Sequence, residues 1–244
     1  MKKTLFLATV AGICLYLNPC SALTLSSAVL KDSTTQMTFP VQFAYCKANG
    51  HGGVEQSNDI SPPLSWSNVP AGTRSFVLIF SDPSAPNSPN FNVPGKTIAL
   101  DVPRGGFYHW VLINIPAKTN ALPKGAGSTG FVAGGKQPGL TAYGLAGLNS
   151  YTDVFSSPLS SRVSFTKTSL KGEYGQYDGP CSPFNDLALH QYTFTLYAVD
   201  VPTLPLPTTG HFTADQVIAA LNGHILAETQ LVSPYTTNKT LLSK

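Results

Sequence analysis

Three side chains far apart in the sequence carry candidate chemistry: Asp82, His109 and His190. Two imidazoles can donate ring N–H bonds to an anionic oxygen, and charge-assisted bonds of that kind are the strong ones. Asp82 beside His109 could hold one tautomer and favour its protonated form, or accept a hydrogen bond from a ligand. Two histidines and a carboxylate are also the ligand set of many metal sites, where an open metal position could hydrolyse a phosphoester. Each residue has an ordinary reading too. Asp82, in Ser81-Asp82-Pro83-Ser84-Ala85-Pro86-Asn87, could simply shape an Asx turn. His190 could be a strand-end residue bonded to a loop carbonyl. Only their convergence would make a site.

Strands have to deliver them. His190–Val199 alternates with period two, placing His190, Tyr192, Phe194, Leu196 and Ala198 on one face and Gln191, Thr193, Thr195 and Tyr197 on the other. In Phe107–Ile115, stopped by Pro116, the same alternation groups His109 with Val111, Ile113 and Ile115, opposite Tyr108, Trp110, Leu112 and Asn114. Ser75–Phe80 reads as a fully buried strand that ends in the proline-stiffened turn at Asp82. Tyr177–Asp186, rich in Gly, Pro, Asn and Asp, is an irregular loop ahead of His190. Val41–Tyr45 is a short apolar segment, Ile60–Trp66 is extended because Pro62 and Pro63 forbid helix, and Ile98–Val102 is expected as a short strand. Thr213 is expected to cap a helix running to about Thr229, with Val217, Ile218, Leu221, Ile225 and Leu226 as its apolar stripe and His224 on its surface. Leu231–Tyr235 is expected as a last extended piece. The pattern implies a mainly β chain: an antiparallel, Greek-key-like β-sandwich with a C-terminal helix and long loops.

The amino terminus has a different character. Lys2 and Lys3 precede an apolar run from Leu5 to Leu17 and then Asn18-Pro19-Cys20-Ser21-Ala22. This is the plan of a secretory signal peptide cleaved after Ala22, and the run is too short to span a bilayer comfortably. A lipoprotein reading would use Cys20, but Pro19 fits it poorly. The expected product is periplasmic or secreted, with residues 23–244 as a single domain and no integral membrane segment. Loss of Lys2 and Lys3 leaves 13 Lys and Arg against 12 Asp and Glu, a net charge of +1 that argues against nucleic acid as a partner. Cys14 and Cys20 leave with the signal, and an exported chain with two remaining cysteines, Cys46 and Cys181, most often pairs them.

Residues 121–172 form a long Gly/Ser/Thr-rich excursion. It contains Gly125-Ala126-Gly127-Ser128-Thr129-Gly130, formally a dinucleotide fingerprint, but Pro123-Lys124 stands where a strand is needed and Phe131-Val132-Ala133-Gly134-Gly135 where a helix should begin. The serine there also lacks the context of a nucleophile elbow.

Several short motifs, in order, resemble the phosphatidylethanolamine-binding protein family, in particular its bacterial Raf kinase inhibitor-like branch. They are Asn58-Asp59-Ile60-Ser61-Pro62 with Leu64 and Trp66; Asp82-Pro83-Ser84-Ala85-Pro86; His109-Trp110-Val111 running to Asn114-Ile115-Pro116; Leu122-Pro123-Lys124-Gly125; Gly179-Pro180-Cys181-Ser182-Pro183; His190-Gln191-Tyr192 through Asp200; and Gly223-His224-Ile225-Leu226. The resemblance implies a β-sandwich with a small anion-binding pocket. That pocket would be lined by Asp82, Pro86, His109, Gly179, Cys181, Pro183, His190 and Tyr192, with Tyr235 as a lid from the chain end. It also supports a Cys46–Cys181 disulfide. The implied ligand is a small phosphorylated molecule or a lipid headgroup, bound without catalysis, cofactor or metal. The branch name also raises a protein partner, a kinase or protease inhibited through the pocket rim. Ser84, Ser182 and Gln191 depart from the family's usual residues, and the excursion is longer than the family's. The loss of a second carboxylate at Ser84 bears on the ligand more than on the fold.

Overall fold

The structure is a computed structural model describing residues 22–163 and 168–242. The expected signal segment therefore lies, but for Ala22, outside the described residues. In chain order the strands begin with β1 (Thr24–Ser26), β2 (Cys46–Ala48), β3 (Val54–Gln56), β4 (Leu64–Ser67), β5 (Ser75–Pro86) and β6 (Arg104–Pro116). The excursion supplies β7 (Ala121–Leu122), β8 (Gly139–Leu140), β9 (Leu145–Ala146), α1 (Tyr151–Ser156) and α2 (Ser160–Val163). The chain then forms β10 (His190–Val199), α3 (Ala214–Ala220), β11 (Ile225–Tyr235) and α4 (Lys239–Leu242).

A six-stranded antiparallel sheet in the order β11-β10-β5-β6-β9-β8 is the frame, faced by a three-stranded sheet β1-β4-β7; β2 and β3 form a separate hairpin. All of Ser75–Phe80 is buried, as its unbroken apolar run requires. Its side chains alternate between two cores. Phe76, Leu78 and Phe80 join Phe194, Leu196, Leu64 and Trp66 between the sheets. Val77 and Ile79 join Phe212, Val217 and Leu221 under α3. Thr213 caps α3 with a capping box, its Oγ1 accepting from the Gln216 N–H while Gln216 Oε1 accepts from the Thr213 N–H.

Four local expectations are corrected. The helix ends at Ala220, not near Thr229: Gly223 takes φ +82° and ends the helical path, and Ile225–Tyr235 pairs antiparallel with β10, with one register shift between Ala198 and Val199. His224 sits in that turn, with Nδ1 2.9 Å from Asp200 Oδ1. Ile98–Val102 makes only an isolated bridge, Ile98 to Asp186. The turn at Asp82 is instead the continuation of β5 to Pro86, broken by a register shift between Asp82 and Ala85 that accommodates its prolines. Finally, simple alternation fails in β6. Phe80 pairs with Trp110 and Ser81 with Tyr108, so His109 is the extra residue of a bulge; a second irregularity precedes Ile115 at Asn114, φ +56°. His109 thereby leaves the face of Val111 and Ile113 and packs against Phe80 and Tyr192 of the inter-sheet core.

Candidate functional site

At one end of the large sheet, Asp82 on β5, His109 on β6 and His190 on β10 line one small pocket with a cavity volume of about 30 Å³. Pro86, Cys181, Pro183 and Tyr192 share the lining, as the family resemblance implied; Ala85, Phe91, Phe107, Tyr151, Val154 and Ser182 complete it. Pockets for drug-sized ligands run to about 300–1,000 Å³, so this one is about an order of magnitude smaller.

The hydrogen bonds differ from the expected scheme. Asp82 pairs with His190, not His109: its Oδ2 accepts the His190 Nδ1–H at 2.6 Å, and its Oδ1 accepts the Ser84 N–H at 2.8 Å, the local side-chain bond of the ordinary reading, here made within the irregular end of β5. His190 Nε2 lies 3.1 Å from Asp186 Oδ2, and Asp186 is in turn gripped by Arg104 through two bonds of 2.5 and 3.0 Å. With a carboxylate on each ring nitrogen, both must carry hydrogen. Burial works against that charge, but Asp82 and Asp186 outweigh it and push the His190 pKa up to about 9. His109 is the opposite case. Its Nδ1–H donates to the Asp178 carbonyl at 2.8 Å, which leaves Nε2 with a lone pair, and burial presses its pKa down to about 4 against the pull of Asp82. The expected grip by two donating imidazoles is therefore absent. One ring is a charged imidazolium with no N–H to spare, and the other is a neutral acceptor.

Two expected residues lie elsewhere. Tyr235 is no lid: it pairs with His190 across β10 and β11, is buried edge-on to Tyr192, and its hydroxyl donates to the Cys46 carbonyl at 2.8 Å. Gly179 stands behind the pocket, its N–H on Asp59 Oδ1 at 2.7 Å and its carbonyl accepting the Tyr151 hydroxyl at 3.0 Å. A Cβ there would lie 2.1 Å from the Phe43 carbonyl oxygen, so only glycine fits. The Cys46–Cys181 disulfide is present, with Cα atoms 4.9 Å apart, and puts Cys181 in the pocket wall.

A family model described as phosphatidylethanolamine-binding protein matches residues 30–236. The chain belongs to the phosphatidylethanolamine-binding protein family. Its relatives include YbhB of Escherichia coli, 33% identical over 153 residues that cover 63% of this chain and 66% of YbhB. A protein of Aquifex aeolicus is 30% identical over 177 residues, 72% of this chain and 74% of the relative. Among solved structures, E. coli YbcL, described as a member of the mammalian family, superposes with a TM-score of 0.59 at 23% identity, covering 88% of this chain and 99% of that one. A Chlamydia trachomatis homologue gives 0.55 at 25% identity, covering 88% and 97%.

In this family member the excursion contributes to the site. It delivers Tyr151 and Val154 to the pocket wall and Lys136 and Asn149 to the wall's back. Lys136 Nζ sits 2.8 Å from Asp59 Oδ2 and 2.7 Å from Asp178 Oδ1, and Asn149 donates to Asp178 Oδ2 at 2.8 Å. Burial pushes both carboxyls up while Lys136 pulls them back, and the two carboxyls in turn hold the Lys136 ammonium above its usual range despite burial. This cluster fixes the Asp178 carbonyl that sets the His109 tautomer. Residue type and spacing did not single out Lys136, Asp178, Asp186 or Arg104, which lie in irregular segments or at a strand start. Among the described residues, no group of three or more His, Cys, Asp or Glu side chains is placed to hold a metal ion.

Proposed function

We propose that this protein is exported and binds a small phosphorylated ligand or phospholipid headgroup in the Asp82–His109–His190 pocket, releasing it unchanged. The observation that carries this reading is the meeting of three distant segments at one small hollow with a buried imidazolium in its wall. The His190 cation offers attraction to an oxyanion, and Tyr192 and Ser182, both in the lining, carry hydroxyls as candidate donors. Membership of the family supports a ligand-binding role. Both His190 nitrogens are committed to carboxylates, which supports binding without proton-transfer chemistry at that residue. The disulfide supports an oxidising, extracytoplasmic location, where such bonds persist. Among the described residues no helix is long and apolar enough to cross a membrane.

A thermal-shift screen with inorganic phosphate, phosphoethanolamine, nucleotides and zinc tests the reading. At about 100-fold excess over Kd a ligand adds about 2.7 kcal/mol of stability. A shift with a phosphoryl compound is expected; none with any of them would remove the proposal, and a shift with zinc alone would replace it with a metal site.

A further inference from the structure

Counting hydrogens around the pocket narrows the ligand class. Asp82 is an acceptor, with one lone pair on each carboxylate oxygen beyond those used by His190 and Ser84. His109 is a second acceptor, because the Asp178 carbonyl can only accept and so fixes the ring hydrogen on Nδ1. His190 has none to give. The Ser182 hydroxyl accepts from the Thr237 N–H at 3.0 Å and keeps its own hydrogen, and Tyr192 contributes a phenol kept protonated by burial. An oxyanion entering this hollow finds hydroxyls for some of its oxygens, but must set others against a carboxylate and an imidazole lone pair.

We propose, resting on the phosphoryl-binding reading above and choosing within it the soluble ligand over the intact lipid diester, that the pocket accepts only oxyanions that bring a hydrogen of their own: inorganic phosphate or a phosphomonoester carrying P–OH. Sulfate has the same shape and no hydrogen near neutral pH, and a phosphodiester has lost its P–OH to esterification. Either would leave lone pairs facing lone pairs where Asp82 and His109 are only 3% and 2% exposed, with little water to intervene. A P–O–H inserted between them turns that repulsion into a hydrogen bond to a charged acceptor. Sites built to bond a ligand hydroxyl reject the analogue lacking it by as much as about 10⁴–10⁵-fold. This pocket is small and has a mouth, so a smaller factor is expected.

The test is titration calorimetry of the mature, disulfide-intact protein at about pH 6, near the second pKa of a phosphomonoester, with inorganic phosphate, methyl phosphate, dimethyl phosphate and sulfate. Dimethyl phosphate stands for a lipid diester, methyl phosphate for a soluble monoester. Inorganic phosphate and methyl phosphate are expected to bind at least about a hundredfold more tightly than sulfate and dimethyl phosphate. Sulfate within about tenfold of phosphate would overturn the proposal and leave phosphoryl binding standing. Failure of all four would remove phosphoryl binding itself. Asp82→Asn, checked for folding by its melting transition, exchanges an acceptor oxygen for an amide N–H and is expected to raise sulfate affinity toward that of phosphate. An unchanged ratio in the folded variant would overturn the role given to Asp82. The wild-type comparison decides the question if that variant does not fold.

Discussion

At the residue scale, the two histidines are held in opposite protonation states by their partners. His190 is a raised-pKa group, so its contribution to stability is complete below the unfolded value of about 6.5 and is lost as pH rises through the folded value of about 9; the shift corresponds to roughly 3 kcal/mol. His109 is lowered, so its folded form resists a proton that the unfolded chain takes up, and stability is lost as pH falls from about 6.5 toward about 4. Nitrogen-detected NMR of the imidazoles checks both: at pH 7 His190 should be doubly protonated and His109 neutral with hydrogen on Nδ1. His190→Ala removes the cation between Asp82 and Asp186 and should cost about 3–5 kcal/mol in denaturant unfolding, the usual penalty for orphaning a buried charge. That Asp82, His109 and His190 belong together was legible, because each stands at the end of an apolar strand. Their pairing was not, because a bulge turned His109 and a loop residue, Asp186, claimed the second nitrogen of His190.

At the element scale, alternation read β5 and β10 well and misread β6 and the C-terminal segment. Both failures have a backbone cause: two irregularities in β6 shift the period, and Gly223 in the left-handed region lets an apolar stripe that suits a helix continue as strand β11. Ile225, Leu226, Glu228 and Gln230 are exposed, so burial periodicity there was weak and pairing to β10 decided the outcome. The excursion is anchored at Lys136. Lys136→Met should destabilise by about 3–5 kcal/mol, since it leaves Asp59 and Asp178 buried without their cation. It should also speed limited proteolysis within 121–172. Intact protection of that segment in the variant would show that packing around Tyr151 and Phe155, not the ion cluster, holds it.

At the scale of the whole molecule, one covalent link spans 135 residues and ends in the pocket wall. The chain-entropy account rates such a loop at about 4–5 kcal/mol, so reduction or Cys46→Ala with Cys181→Ala should lower unfolding stability by up to that amount, read by urea denaturation with and without reductant. It should also weaken any phosphoryl ligand, because Cys181 adjoins Ser182 and Pro183 in the lining. The β-rich class, the buried strands, the two cysteines that pair and the identity of the chemical side chains were all legible before folding, since composition, period-two patterning and residue type are local properties. Tertiary structure alone decided who bonds to whom. Which carboxylate meets which imidazole, where the protons sit, and how the long excursion closes the pocket all depend on register and on contacts between segments some hundred residues apart, such as Asp82 with His190. Local pattern carries no record of such contacts.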